Sequence, residues 1–186
     1  MANNKQKEVD EMTVIECNKF MLENQINSDV TFIVGNDRKP IKAHKYVLGS
    51  RNSVFTAMLF GTLAENGEII IPDIEPSVFC SLLDFFYTDQ MEVTGNNVCA
   101  LMYACNKYNA KGAMKKCIDF LRTSINSENV CQILENALLY NEVNLKEKCM
   151  SLIFRSASDI LKSKQFTQLT KDSLKIIIES DNLVSR

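Results

Sequence analysis

The segment from Ser28 to Asp73 constrains the fold of this chain more than any other part of the sequence. Within it, Val30–Val34 alternates with the period of two that marks a strand with at least one buried face. The turn-forming cluster Gly35–Asp37 returns the chain into a second short strand, and two short helices follow. A β-branched run, Glu68–Ile71, closes the segment as a third strand. This order predicts an α/β unit in which a small sheet is flanked by helices.

Asn52 and Gly61 mark the predicted ends of the second short helix. Asn52 is a favoured N-cap residue, because its side-chain oxygen accepts a hydrogen bond from a free backbone N–H group. Gly61 is a favoured place for a helix to stop. The apolar stripe between them consists of Val54, Phe55, Met58 and Leu59.

Beyond the third strand, the periodic patterns are helical. A first helical hairpin is expected to turn at Tyr108–Asn109. A second hairpin repeats the first in length and spacing, and we expect Ser127 and Asn144 to begin its two helices as N-cap residues. The α/β unit is therefore predicted to continue into an all-α extension of helical hairpins.

Composition restricts the class of function. With 46% hydrophobic and 24% charged residues among 186 positions, the chain is expected to fold as one globular domain or two small ones. Its formal net charge of −2 carries no signal for binding to nucleic acid or to a membrane. No apolar run approaches the length that spans a membrane. We therefore expect protein partners, with no nucleic acid and no membrane among them.

Seven cysteines and one histidine limit what the chain can bind or catalyse. No cysteine pair has the CxxC spacing and the only histidine is His44, so the sequence predicts no metal site and no cofactor. The cysteines are expected to be reduced thiols packed in apolar helices, which predicts a cytoplasmic location, with the nucleus as a second compartment. There is no nucleophile motif and no phosphate-binding glycine loop, so the chain is predicted not to be an enzyme.

Short motifs spaced along the chain resemble the BTB (POZ) domain. They are Ser28–Val30, Ala43–Leu48, Phe55–Met58, Ile71–Ile74 and Phe85–Thr88. The resemblance covers Ile15 to Ile125, and the later helices resemble the start of a BACK domain, with its Ser-Asp-x-Leu signature at Ser180–Leu183. We accordingly predict a disordered N-terminus (1–10), a BTB/POZ domain (11–125) and the N-terminal part of a BACK domain (126–186). A BACK domain normally continues for several more helices, so we expect only its first part here.

The resemblance implies a homodimer formed in part by the leading helix. Apolar side chains spread over more than one stripe of the segment Asp10–Glu23, which is typical of a helix that contacts two surfaces. A helix sunk in its own core would show the same pattern. The dimer contacts that the resemblance implies are Ile15, Phe20 and Met21.

The resemblance also implies a role as an adaptor of a cullin-3 RING ubiquitin ligase. In such adaptors a hydrophobic-x-Glu triplet follows the second short helix and contacts the cullin, and Leu63-Ala64-Glu65 occupies that position. The apolar side chain would supply buried area and the carboxylate a charge-assisted hydrogen bond, although an ordinary solvated loop has the same pattern. The later helical hairpin matches the 3-box, which extends the cullin-binding face. The expected cullin contacts are Phe60, Leu63, Glu65, Tyr108 and Asn109.

The predicted function is thus that of a homodimeric adaptor that presents an unknown substrate protein to the ligase. The alternative is a dimerising scaffold or transcriptional regulator that binds no cullin. In the zinc-finger repressors of the family, the position of Asp29 pairs with a basic residue, but the matching position here is Ser53, which counts against that branch. Asp29 and His44 are expected to make internal hydrogen bonds rather than to transfer protons.

Overall fold

The computed structural model describes residues 11–62, 64 and 67–180. The segment 1–10, predicted to be disordered, lies outside them. Two compact units follow one another along the chain, and the division falls between Cys117 and Ile118. This division lies inside a helix, and the domain boundary predicted after residue 125 stays a prediction. The elements that begin in the first unit are α1 (Val14–Glu23), β1 (Val30–Val34), β2 (Lys39–Ala43), α2 (Lys45–Arg51), α3 (Ser53–Phe60), β3 (Glu68–Ile71), α4 (Pro76–Thr88), α5 (Val98–Lys107) and α6 (Lys111–Ser124).

The three strands form one sheet in the order β2-β1-β3. β1 pairs antiparallel with β2 and parallel with β3, so that Phe32 lies opposite both Ile41 and Ile69. Side chains on both faces of β1 are buried, including Phe32 on one face and Ile33 on the other. The sequence of a central strand that is covered on both faces is a nearly continuous run of apolar residues. The predicted α/β fold, a small sheet flanked by helices with a helical extension, is confirmed.

Aromatic rings pack the sheet against the helices of the first unit. Phe32 on β1 meets Phe55 on α3 and Phe79 on α4 edge to face, with ring centroids 5.8 and 5.1 Å apart. Phe55 also stacks on Tyr108, just after α5, with centroids 4.7 Å apart and an interplanar angle of 11°. Each such ring pair contributes about 0.5–1.5 kcal/mol beyond its buried area. These contacts join β1, α3, α4 and the end of α5 in one core.

Asn52 caps α3 as predicted, because its Oδ1 accepts the backbone N–H of Phe55 at 3.0 Å. Its Nδ2 donates to the backbone carbonyl of Tyr108 at 2.8 Å, and the side chain is buried. Gly61 follows the last residue of α3, as predicted. One amide therefore connects the start of α3 to the turn that follows α5.

His44 and Tyr87 form a buried hydrogen-bonded pair. His44 Nε2 lies 2.6 Å from the carbonyl oxygen of Ile26, to which it donates. Its Nδ1 lies 2.8 Å from the Tyr87 hydroxyl and accepts from it, and that hydroxyl accepts the backbone N–H of His44 at 2.8 Å. Burial raises the pKa of Tyr87, which keeps its proton in place. Asp29 Oδ1 accepts the backbone N–H of Lys45 at 2.7 Å, so both residues have the structural bonds that were expected.

The regular secondary structure described in the second unit is all helical. Its elements after α6 are α7 (Val130–Leu139), α8 (Val143–Arg155), α9 (Ala157–Ile160), a 3₁₀ turn (Phe166–Gln168) and α10 (Lys171–Ile178). Helices α7 and α8 pack as a hairpin around Leu134, Leu145 and Cys149. Glu135 on α7 accepts the backbone N–H of Thr170 at 2.7 Å, which anchors the entry to α10.

The turns after α5 and α7 have the same structure. Asn109 and Asn141 adopt left-handed conformations, with φ of 50° and 55°, each directly after a tyrosine. In each turn, the backbone N–H of the next residue donates to a carbonyl of the preceding helix. Ala110 donates to the carbonyl of Cys105, and Glu142 to the carbonyl of Ala137, both at 2.7 Å. This is the Schellman pattern, in which asparagine replaces the usual glycine. The second hairpin repeats the first in its turn chemistry as well as in its predicted spacing.

The two N-caps predicted for the second hairpin are wrong. Helix α7 begins after Asn129, because Asn126 Oδ1 accepts the backbone N–H groups of Glu128 and Asn129 and forms a turn that contains Ser127. Helix α8 begins after Glu142. The backbone N–H of Glu142 donates to the carbonyl of Ala137 and so closes the turn that follows α7. Asn144 therefore lies inside α8 rather than before it.

Replacing Tyr87 by phenylalanine tests the His44 pair. The variant Tyr87→Phe leaves the backbone N–H and Nδ1 of His44 without their buried partner, which we expect to lower the free energy of unfolding by about 1–3 kcal/mol. Tyr103→Phe is the matched control, because it also removes one phenol oxygen, from an exposed side chain bonded to Asp73. It should cost about half a kcal/mol or less. Urea unfolding measures both values, and equal losses would contradict the structural role of Tyr87.

Thiol accessibility tests the packing of the helical hairpins. The buried cysteines are Cys105, Cys117, Cys131 and Cys149. Burial raises the pKa of the Cys149 thiol to about 12, and the hydrogen bond with Cys117, together with burial, raises the pKa of Cys105. Since the thiolate is the reactive form, iodoacetamide at about pH 8 should modify at most three sites in the native chain. These are the half-buried Cys17, Cys80 and Cys99.

Mass spectrometry of the intact chain counts the adducts, and peptide mapping locates them. Unfolding in guanidinium is the control and should make all seven cysteines reactive. Rapid modification of Cys117 or Cys149 in the native chain would contradict the buried placement.

Candidate interaction surfaces

The leading helix α1 exposes apolar side chains. Val14 and Ile15 in its first turn are exposed, and Phe20 and Met21 are half-buried. No residue of α1 is fully buried. A helix sunk in its own core is therefore excluded, while its use as a dimer contact stays a prediction. We call these four residues the leading-helix surface.

Two features hold α1 in place. Thr13 forms a capping box with Glu16, in which the Thr13 backbone N–H donates to Glu16 Oε2 at 2.7 Å, and this bond holds the pKa of Glu16 below its usual value. The helix also packs against α4. On α4, burial raises the pKa of Asp84, and the charges of Lys19 and Glu23 on α1 also act on this carboxyl group. The leading-helix surface is thus presented by an ordered helix.

A second surface lies on α2 and α3. Phe60, in the last turn of α3, is 56% exposed, and its ring covers Gly49 on α2. A Cβ atom built on Gly49 would lie 2.5 Å from Phe60 Cε2, so glycine permits this close approach. Tyr46 is exposed one turn before Gly49 on the same face of α2. We call Tyr46 and Phe60 the α2–α3 surface.

The predicted cullin triplet is only partly described. Leu63 and Glu65 lie outside the described residues. Their neighbour Ala64 donates its backbone N–H to the carbonyl of Gly61 at 3.0 Å, and Gly61 donates to Ala57 at 3.0 Å. Of the triplet, the structure therefore describes only Ala64, three residues after Gly61, which follows the last residue of α3.

Tyr108 is not part of the surface, which corrects the expectation that its side chain contacts a cullin. The side chain is 1% exposed and contacts the rings of Phe55 and Phe79. Its role is to position the loop, because its stack on Phe55 and the Asn52 bond to its carbonyl tie the loop to α3. Asn109, the next residue, is exposed at the tip of the turn. The structure thus ties the start of α3, the helix that ends at Phe60, to the Tyr108–Asn109 turn through one buried cluster.

Some of the exposed apolar side chains were not predicted from the sequence. Among them are Tyr46 on α2 and the pair Leu139 and Val143, which lie on either side of the turn in the second hairpin. Each lies off the buried stripe of its helix, and this departure from periodicity is the signal that could have found them. We call Leu139 and Val143 the second-hairpin tip.

Charged pairs surround the first-unit surfaces. Arg51 at the end of α2 pairs with Asp89 after α4 and holds the pKa of Asp89 below its usual value. Asp73 accepts from Lys107 Nζ at 2.5 Å and from the Tyr103 hydroxyl at 2.6 Å, and these bonds hold its pKa low as well. Exposed pairs of this kind contribute about 0–1 kcal/mol each, so they orient side chains more than they stabilise the fold.

The described ranges offer neither a cluster of metal ligands nor a membrane-spanning helix. There, no group of three or more His, Cys, Asp or Glu side chains is placed to hold a metal ion. Among the helices described, none combines the length and the apolar character needed to cross a membrane. The candidate sites are therefore the exposed apolar side chains of the three surfaces defined above. Exposed apolar patches commonly mark protein contacts.

Comparison with known proteins gives two family matches. Residues 17–125 match the BTB/POZ domain model, and residues 130–186 match the BACK model, described as BTB And C-terminal Kelch. BTB/POZ domain-containing protein 6 of Homo sapiens is 37% identical over 174 residues, which cover 92% of this chain and 32% of that protein. BTB/POZ domain-containing protein 3 of Homo sapiens is 36% identical, with 92% and 33% covered.

A relative in Danio rerio, BTB/POZ domain-containing protein 6-B, is 38% identical over 94% of this chain and 37% of its own length. The chain therefore spans about a third of the length of these relatives. The BTB match lies over the sheet, the aromatic core and the first hairpin, and the BACK match lies over the helices from α7 onward. The chain belongs to the BTB/POZ family, as a BTB–BACK protein whose domains form a protein-interaction module.

Proposed function

We propose that this protein is a homodimeric substrate adaptor of a cullin-3 RING ubiquitin ligase. The observation that supports it most is the buried cluster of the first unit that ties the start of α3 to the Tyr108–Asn109 turn. Phe60 offers exposed aromatic area a few residues before the Leu63-Ala64-Glu65 triplet in the sequence, and Asn109 offers a polar tip. An apolar anchor with polar groups around it is the usual composition of a protein-binding hot spot.

The leading-helix surface supports the dimer. Val14 and Ile15 remain exposed in the single chain, although α1 is capped and packed against α4. Covering this surface with the same surface of a second copy would bury apolar area on both chains. The proposed dimer contacts are Ile15, Phe20 and Met21, joined by Val14.

The second-hairpin tip is the proposed 3-box contribution to cullin binding. Leu139 and Val143 are exposed, whereas the corresponding positions beside the turn of the first hairpin are Lys107 and Lys111. A change from charged to apolar side chains around the same turn favours a protein contact at the second tip. The adaptor would work without a cofactor in the cytoplasm or nucleus, and would present a substrate protein of unknown identity.

A dimerising scaffold or transcriptional regulator that binds no cullin is the second candidate. The leading-helix surface favours this role equally, since it requires a dimer and nothing more. The two candidates differ in whether the α2–α3 surface has a cullin partner. Direct titration with cullin-3 therefore separates them.

The dimer is tested by a charge in the leading-helix surface. Ile15→Glu places a carboxylate on an exposed position of α1, so it should weaken self-association about tenfold or more without changing the fold. Leu161→Glu is the control, because Leu161 and Ile15 are both 51% exposed. Light scattering over a concentration series measures the mass. A wild-type chain that is monomeric at micromolar concentration would refute the dimer.

The cullin contact is tested by truncation of the predicted anchors. Phe60→Ala, Leu63→Ala and Glu65→Ala should each weaken binding of the cullin-3 N-terminal domain by about 1–3 kcal/mol, as interface anchors commonly do. Ile70→Ala is the matched control, since Ile70 on β3 is 57% exposed against 56% for Phe60. Calorimetric titration measures the affinities, and circular dichroism checks the fold.

The outcomes separate the hypotheses. Undetectable binding by the wild-type chain would exclude the adaptor and favour the scaffold. Tight binding that none of the three substitutions changes would retain the adaptor but refute the assigned contact residues. Equal losses in Ile70→Ala and Phe60→Ala would show that the effect is not specific to the α2–α3 surface.

A further inference from the structure

A groove of about 410 Å³ opens on the first unit, at the turn between β3 and α4. Its lining comes from four places: the turn between β1 and β2, the turn between β3 and α4, the first turn of α4, and one face of α5. The lining residues are Asn36, Pro72, Asp73, Ile74, Glu75, Val78, Ala100 and Tyr103. None of the contacts assigned above to the dimer or the cullin uses this groove.

The floor of the groove is apolar. Ile74 and Val78 are buried members of the core, and Ala100 adds a methyl group from α5. Such a floor can cover the aliphatic part of a side chain that enters from a partner. Its size and open form suit one long side chain and the short segment of backbone that carries it.

One wall is an aromatic ring that is held by a carboxylate. The Tyr103 hydroxyl donates to Asp73 Oδ2 at 2.6 Å, and Lys107 Nζ donates to Asp73 Oδ1 at 2.5 Å. Lys107 and Tyr103 together hold the pKa of Asp73 low, so Asp73 stays ionised and keeps the ring in position. Both oxygens of Asp73 are thus engaged, while Tyr103 lines the groove.

The rim carries a second carboxylate, that of Glu75. It is the N-cap residue of α4, but its side chain makes no capping hydrogen bond. Glu75 is exposed, and no salt bridge found among the described residues engages it. An ionised group beside an apolar floor and an aromatic wall favours a ligand of positive charge.

We propose that this groove binds an arginine side chain of a protein partner. The guanidinium stacks on Tyr103 and pairs with Glu75, and the methylene groups lie over Ile74 and Val78. A planar guanidinium can stack and pair at the same time, which a lysine ammonium does less well. An acidic or wholly apolar side chain would leave the Glu75 charge without a partner. The proposal does not rest on cullin binding, because it concerns other residues and its test contains no cullin.

The probe is a short capped peptide with one arginine between alanines, and its matched control is the same peptide with citrulline, which keeps the shape but not the charge. Both are titrated into the ¹⁵N-labelled chain. We expect saturable shifts of the Asn36, Ala100 and Tyr103 amides with the arginine peptide alone. Glu75→Gln should weaken that binding roughly threefold to fivefold, as for loss of an exposed ion pair. Glu128→Gln is the control, because it removes one exposed carboxylate from the other unit.

Each result decides the proposal. Saturable shifts at the groove that depend on arginine and weaken in Glu75→Gln, but not in Glu128→Gln, support it. The absence of saturable shifts refutes it, as do equal shifts with the citrulline peptide. Equal weakening in both glutamine variants also refutes it, because the attraction would then come from net charge rather than from the groove.

Discussion

The buried amide of Asn52 is the interaction on which the candidate site depends. Its oxygen accepts from Phe55 at the start of α3, and its nitrogen donates to the carbonyl of Tyr108 after α5. An amide presents its acceptor and donors in a fixed arrangement, so neither partner can move without leaving a buried polar group unpaired. Such a loss costs about 1–3 kcal/mol. The stack of Phe55 on Tyr108 adds packing to the same connection, and the exposed Asn109 is carried along by it.

Local features were predicted well where neighbouring residues decide them. The alternation in β1 and the cap at Asn52 depend on side chains within a few positions, and both appear in the structure. Ser127 and Asn144 show the limit of this reasoning. Each is a suitable cap by residue type, but Asn126 forms a competing turn before α7, and the close of the preceding turn sets the start of α8. A residue type can be suitable for an N-cap, but competing hydrogen bonds of the nearby backbone decide where the helix begins.

The candidate site could be predicted only in part, because exposure depends on distant residues. Tyr108 adjoins a loop and was expected to face a partner, but rings from α3 and α4 enclose it. Phe60, one of the cullin contacts that the family resemblance implies, is exposed in the structure, but its contact role stays a prediction. The exposure of Tyr46 was not predicted. Phe60, and not Tyr46, covers Gly49, and the residues next to Tyr46 in the sequence do not show this. The contact roles of Leu63 and Glu65 rest on the family pattern.

The position of β3 in the sheet links its stability to binding at the α2–α3 surface. The chain leaves β2, passes through α2 and α3, and returns on the far side of β1, so the α2–α3 surface lies on the connection that delivers β3 to the sheet. Any partner that holds this connection in place also opposes the departure of β3 from β1, because local opening of the strand would strain the bound segment. The backbone amides of β3 would then exchange their hydrogens with solvent more slowly. Hydrogen exchange at this edge strand would thus report binding at the α2–α3 surface, although β3 makes no contact with the partner.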